Sequence, residues 1–298
     1  MTDRRSDVLG AAAIAAGSVC FGAVVVLGKV ATNRGMPVVP MLVVRFAISA
    51  ALLAIVLTFT RNPLRPARGE GWKLVVLGVF GYAVEAAFFF AGIERGTAAA
   101  ITLLFFVYPV LVTLLATALG RGLPGSLVGG SLVAAVTGVA VVVASGGGVD
   151  VTPAGIGFAL GSAGVYTVYL TLVERVLVRT SSLAGAMVVA AAASGGLAVY
   201  GLATDGLRLP GSSQWWPVAG MGAFTAAAFL CLMAGVRRIG AVRTAIIAAL
   251  EPLVASLFGW VFLDEPLRGG VVGGGVLILA GAIAASLARA GSKTEPVP

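Results

Sequence analysis

Apolar residues run along the chain in ten blocks, 8–31, 38–60, 71–94, 97–119, 124–145, 153–176, 183–204, 214–236, 241–263 and 268–289. Each block closes on proline, glycine or charge before the next begins, as at Arg34-Gly35-Met36-Pro37, Asn62-Pro63, Gly146-Gly147-Gly148, Asp205-Gly206 and Asp264-Glu265-Pro266. Every block reaches the ~20 residues that a helix needs to cross a bilayer. The longest polar connection, from Arg61 to Gly71, is too short to be a domain. The pattern predicts an all-α polytopic membrane protein of ten transmembrane helices.

The blocks are not independent. A shift of 143 lays Gly92-Ile93-Glu94-Arg95 on Gly235-Val236-Arg237-Arg238, Tyr108-Pro109-Val110 on Glu251-Pro252-Leu253, and Gly138 on Gly281; a shift of 144 lays Gly17-Ser18 on Gly161-Ser162. A shift held this long points to internal duplication. Each copy carries five spans, an odd number, so the second copy must enter the membrane in the opposite direction. The expected organisation is two inverted five-helix repeats, 1–147 and 148–298, an arrangement in which transporters place a substrate site near the bilayer midplane, where the repeats meet.

Composition agrees and removes alternatives. Hydrophobic residues make up 59% of the chain and charged ones 11%, against about 25% charged in ordinary soluble domains. The net charge of +8 does not indicate nucleic acid, because the basic residues are scattered between apolar blocks instead of forming a patch. Cys20 and Cys231 both lie inside apolar runs, which argues against a disulfide framework or a thiolate metal site. With no histidine, neither Ser-His catalysis nor a histidine metal centre is available. No nucleotide-binding G-x-x-x-x-G-K-[ST] motif appears, which disfavours primary transport. No enzyme activity, metal or cofactor is therefore expected; the expected partners are a small-molecule substrate and the lipid bilayer. With the N-terminus inside, 14 of the 20 Lys and Arg fall on the inner side and five on the outer, and Arg45 lies within a span. Both termini are therefore placed in the cytoplasm.

Candidate chemistry gathers at mid-depth. Pro109 and Pro252 each remove a backbone donor and are expected to kink their helices, making them candidate hinges. Beside them Tyr108 and Glu251 sit ~16 and ~15 Å along their spans. On the third span Tyr82, Glu85 and Phe89 share a helical face that Gly78 and Gly92 extend. Arg45 and Glu85 lie at similar depth, so Glu85 either pairs with Arg45 or lines a cavity. Ser18 and Phe21, with Ser162, Tyr166 and Tyr169 in the second copy, complete the candidate cavity. Gly125-x-x-x-Gly129 and Gly269-x-x-x-Gly273 are expected to give close helix contact, as scaffold or as the face of a homodimer.

With Glu251-Pro252, the closing Leu263-Asp264-Glu265-Pro266 and the two five-span copies in view, the sequence resembles the EamA-type branch of the drug/metabolite transporter superfamily over nearly its whole length. Within that branch it is similar to YddG-type exporters of aromatic amino acids. Asp264 departs from the pattern, standing where many members have glycine before the glutamate. The resemblance implies a ten-helix exporter of small metabolites in the bacterial cytoplasmic membrane, working by alternating access around a central cavity. Proton coupling through Glu251 or Glu85 and uncoupled facilitated diffusion are both compatible with these residues, as are a monomer and a homodimer.

Overall fold

The structure, a computed structural model, describes residues 2–95, 101, 104–121, 124–144, 152–204, 206–263 and 269–287. Among these residues the regular elements are all helical: α1 (Thr2–Asn33), α2 (Val38–Phe59), α3 (Gly71–Ile93), α4 (Tyr108–Ala116), α5 (Ser126–Ala144), α6 (Pro153–Val176), α7 (Ser182–Ala203), α8 (Trp215–Ala248), α9 (Leu250–Leu263) and α10 (Gly269–Leu287). Six of them, α1, α2, α3, α6, α7 and α8, are long and apolar enough to cross a membrane, and shorter apolar helices run over Tyr108–Gly120, Ser126–Val141 and Leu250–Phe262. The turns expected at Gly146-Gly147-Gly148 and Asp264-Glu265-Pro266, and Asp205, lie outside the described residues.

The start signals behave as the side chains dictate. Thr152 precedes Pro153 and its hydroxyl accepts from the Gly155 N–H at 3.1 Å, while Ser181 accepts from the Ala184 N–H at 3.1 Å. Each satisfies one of the otherwise orphaned N–H groups of a helix start. The gap expected between the eighth and ninth spans falls at Gly240, where φ is +75° and ψ 170°, a non-helical residue at which two helical stretches of α8 meet. A side chain there would be strained by its backbone and would also meet Glu174 Oε1 at 2.8 Å. A milder break follows at Ala249, which keeps right-handed helical dihedrals.

Helix α3 contains a π-turn over Leu77–Tyr82. The extra residue in that turn rotates the downstream part of the helix relative to the upstream part. Gly78 consequently packs against Val189 and Ala192 of α7, while Tyr82 points to the interior; Gly92 faces Ile101 and Gly155. Gly78 does not extend the Tyr82–Glu85–Phe89 face, contrary to the simple helical count.

Packing between helices falls into matched sets. α1 packs on α8 and α9, as α6 packs on α3 and α4; α2 meets α7 and α8, and α7 meets α3; α5 packs against α10. Between lipid-embedded helices association depends on close fit more than on water exclusion. Backbone meets backbone closely at α5 and α10, where a Cβ on Gly138 would lie 2.6 Å from the Gly274 carbonyl oxygen and one on Gly281 would lie 2.8 Å from that of Ser131. The Gly125-x-x-x-Gly129 and Gly269-x-x-x-Gly273 faces do not make this contact: among the described residues nothing lies within 4 Å of a Cβ at any of the four. Their expected role as internal scaffold is corrected, the crossing having settled further along the same two helices.

Each end of the bundle is tied across by polar contacts. At one end the Glu70 carboxylate accepts from the backbone N–H groups of Arg179 and Thr180 at 2.9 and 2.8 Å, and the Thr180 hydroxyl accepts from the Ala67 N–H at 3.0 Å. Arg179 also donates to the Arg68 carbonyl, and Arg237 to that of Thr180. At the opposite end the Gln214 amide donates to the Arg34 carbonyl at 2.7 Å, Arg208 reaches the Gly35 carbonyl, and the Arg34 guanidinium lies 5.0 Å over Trp216. Glu70 and Gln214 stand 144 residues apart, as do Trp72 and Trp216.

Burial alone would raise the Glu70 carboxyl; hydrogen bonds from Thr180 and Arg179 outweigh it and hold the group at about 2 against an ordinary 4.5. A carboxylate depressed on folding adds stability above its unfolded value and loses it as pH falls towards the folded one. The wild type is therefore expected to melt above Glu70→Gln at pH 7. That margin shrinks progressively between pH 4.5 and about 2, as thermal unfolding of the two proteins in detergent across this window will test.

Candidate functional site

Two helices are broken where proline follows a polar residue. Residues 106 and 107 form a turn and α4 begins at Tyr108-Pro109; α8 ends at Ala248 and α9 begins at Leu250, just before Glu251-Pro252. Proline is tolerated at a first helical turn, where its missing N–H has no partner to lose. The expected kinks are present as local breaks in the helical hydrogen bonding, at which Val107 and Ala249 keep right-handed helical dihedrals. At the second break the Ala249 N–H turns back to Ile246 at 3.2 Å, and the Tyr108 hydroxyl faces the Ala245 carbonyl at 3.5 Å, a long contact that joins one break to the other.

Between the breaks lies a cavity lined by Arg45 of α2, Tyr82, Glu85 and Phe89 of α3, Tyr108 of α4, Tyr166 of α6, Glu251 of α9, and the apolar side chains of Phe21, Val24, Val25, Ala86, Phe90 and Phe105. Its aromatic wall is continuous. Tyr108 meets Tyr166 edge-on at 4.8 Å, Phe105 lies 5.0 Å from Tyr108, and Tyr82 is backed by Phe229 at 4.4 Å and Phe46 at 5.7 Å. Edge-to-face pairs of this kind fix ring orientation as well as fill space.

Three ionisable groups break the apolar wall. Arg45 is buried; its Nε donates to the Thr225 hydroxyl at 2.7 Å and its guanidinium lies 4.8 Å from the Phe46 ring centre. Glu85 is buried and accepts from the Ser162 hydroxyl at 3.3 Å, while the same hydroxyl lies 3.1 Å from the Glu85 carbonyl oxygen. Glu251 is partly buried, and among the described residues neither carboxylate forms an ion pair with Arg45 within 4 Å. The direct Arg45–Glu85 bridge is therefore absent, and Arg45, Glu85 and Glu251 line the same cavity.

A smaller cavity adjoins the first, lined by Ile14, Gly17, Ser18, Phe21, Tyr166, Ala228, Leu232, Ala248 and Glu251. Phe21, Tyr166 and Glu251 belong to both and form the partition. The larger has a volume of about 50 Å³ open to the centre of a water molecule. A water requires roughly 10–15 Å³ on that measure, so the space holds a few waters and must widen to admit a metabolite.

Of the residues expected from sequence, Tyr82, Glu85, Tyr108, Glu251, Phe21 and Tyr166 meet in the larger cavity, and Ser18 lines the smaller with its hydroxyl donating to the Ile14 carbonyl. Ser162 holds Glu85 from behind. Tyr169 lies behind Tyr166 and Tyr82, at 5.9 and 5.3 Å between ring centres, and lines neither cavity; its buried hydroxyl finds no partner among the described residues. Arg45 as a cavity residue, its anchor Thr225, and the wall residues Phe90 and Phe105 were missed. Arg45 had a signal, being the basic residue set deepest inside an apolar block, a position that charged side chains occupy only at a cost.

The family model for EamA-like transporters matches the chain twice, over 8–144 and 153–287. The chain belongs to the EamA-like transporter family. As a member it is an integral membrane protein and a transporter of small metabolites, which agrees with the reading that it is not an enzyme. No curated protein sequence matches this EamA-like chain. Among solved structures it is similar to a crystal structure of a protein with which it shares 21% identity, covering 95% of this chain and 98% of the other at a TM-score of 0.79. At that identity the likeness concerns the fold alone.

Proposed function

We propose that this EamA-like transporter is a secondary exporter of zwitterionic metabolites, of which aromatic and hydrophobic amino acids are the best fit, and that it works by alternating access. The single observation that carries this reading is the cavity between the two proline breaks. It sets one guanidinium and two carboxyls into a wall of aromatic rings. A guanidinium pairs with a carboxylate through a planar fork of donors; a carboxylate accepts from an ammonium; aromatic edges and faces take up a ring or an aliphatic side chain. An amino acid presents those three groups around one carbon.

The two copies are read as inverted repeats with both termini in the cytoplasm. Supporting this are the two successive matches of the family model, the matched sets of helix contacts and the equivalent placement of Glu70 and Gln214 at opposite ends. The breaks before Pro109 and Pro252 serve as hinges, since a helix that has already surrendered its continuous hydrogen bonding bends there at little further cost. The reading is tested with purified protein in lipid vesicles. Vesicles preloaded with unlabelled phenylalanine will take up labelled phenylalanine transiently above equilibrium, with saturation and with competition from tryptophan and leucine. Non-saturating flux without stimulation from the opposite side, across a panel of amino acids, would refute it.

A further inference from the structure

The charges that meet in the cavity are unequal in number. Arg45 supplies one positive charge, and an arginine keeps it in a protein interior. Glu85 and Glu251 supply two carboxyls. No other ionisable side chain lines the larger cavity except the phenols of Tyr82, Tyr108 and Tyr166, and Ser18 is the polar group facing Glu251 from α1 in the smaller one. A space enclosed by lipid-embedded helices disfavours uncompensated charge. The empty cavity is neutral only when one of the two carboxyls carries a proton.

Geometry distinguishes the two carboxyls. Glu85 has the Ser162 hydroxyl within 3.3 Å of its carboxyl, a single donor shared with the Glu85 carbonyl oxygen that favours a carboxylate when turned to it. Glu251 has no hydrogen bond or ion pair among the described residues, borders both cavities, and stands one residue before Pro252 at the helix break. It is the carboxyl free to gain and lose a proton as the cavity changes its opening.

We infer that Glu251 is an exchangeable proton site and that the net charge of the cargo decides whether a proton moves: a monocation travels against one proton, whereas a zwitterion travels without one. The balance is explicit. With Arg45 positive, Glu85 negative and Glu251 protonated, a zwitterion adds no net charge and the loaded cavity stays neutral. An organic monocation restores neutrality only if the Glu251 O–H bond breaks and its proton leaves to the water on the side then open. On the return, the empty cavity takes up one proton from the opposite side. The inference rests on the proposed transport function and adds to it a second cargo class, aromatic quaternary or protonated amines, with a fixed stoichiometry.

The test uses the full chain in vesicles clamped at zero membrane potential with potassium and valinomycin, and two probes, phenylalanine and benzyltrimethylammonium. The second has a ring and a fixed positive charge but no proton of its own. With the interior one pH unit more acid, one-for-one exchange accumulates benzyltrimethylammonium about tenfold, while phenylalanine only equilibrates. Equal accumulation of both, or equilibration of both, overturns the inference while leaving transport intact. Failure of both probes to cross overturns the transport reading and this inference with it. In Glu251→Gln the pH gradient will no longer accumulate the cation, and an inside-negative potential will. Undiminished pH-driven accumulation in that variant removes Glu251 from the role; the wild-type comparison of the two probes stands whether or not the variant folds.

Discussion

Replacing Arg45 by methionine will reduce phenylalanine counterflow by about a hundredfold or more, the loss expected on removing a charge-assisted, two-pronged contact of roughly 3 kcal/mol. Methionine keeps most of the volume against Phe46 and removes the cation. Arg45→Lys will fall between the two, because lysine preserves the charge but has neither the planar fork nor the Nε–H that Thr225 accepts at 2.7 Å. Thr225→Val, nearly the same shape without the acceptor, leaves the guanidinium in place but unanchored. It is expected to raise the KM several-fold with a smaller effect on the maximal rate. Saturation curves for the three variants, each first shown to melt as a folded protein, test the series. Wild-type kinetics in Arg45→Met would remove the guanidinium from substrate recognition.

The second large effect concerns stability. Leucine at Gly138 or Gly281 will abolish the α5–α10 contact and lower the midpoint of thermal unfolding by many degrees. A single Cβ at Gly138 already comes 2.6 Å from the Gly274 carbonyl oxygen and 2.8 Å from the Ile278 backbone nitrogen, and at Gly281 it comes 3.0 Å from the Ala135 nitrogen. These are backbone atoms, which cannot rotate away as a side chain can. Overpacking of this kind costs about 1–3 kcal/mol per site and more when the helices must separate. Leucine at Gly125 or Gly273, on the same two helices but with open space at the Cβ position, will leave the midpoint unchanged in the same measurement. If all four variants behave alike, the crossing point described for these helices is wrong.

The sequence makes the element boundaries legible because each is written locally. Pro37 and Ser181 stand immediately before helices of 22 residues whose starts are 144 apart, and Thr152-Pro153 marks the start of α6. The Tyr82–Glu85–Phe89 face is legible for the same reason, since all three close or come after the π-turn and then keep ordinary helical spacing. What the sequence conceals depends on contacts between distant segments. The π-turn that separates Gly78 from the Tyr82 face leaves no signature in the residue types of Leu77–Tyr82. A shared depth suggests Glu85 as the partner of Arg45, yet its nearest acceptor is Thr225, 180 residues away and unremarkable within an apolar run. The Gly-x-x-x-Gly pairs meet the general rule for close packing but not the register that Gly138 and Gly281 impose. Proline announces the two weak points in the helices correctly, and at each the backbone kinks while keeping right-handed helical dihedrals.

The ties at the two ends of the bundle have a mechanical consequence. Glu70 fastens the α2–α3 connection to the α6–α7 connection, and Gln214 fastens the α1–α2 turn to the start of α8, so the helices between them are riveted at top and bottom like the uprights of a door frame. A frame held at both sills cannot itself swing. Under the alternating access proposed above, the leaf that moves would be hung on the two segments that the prolines break, and amide exchange is then expected to run fastest at residues 106–107 and 249.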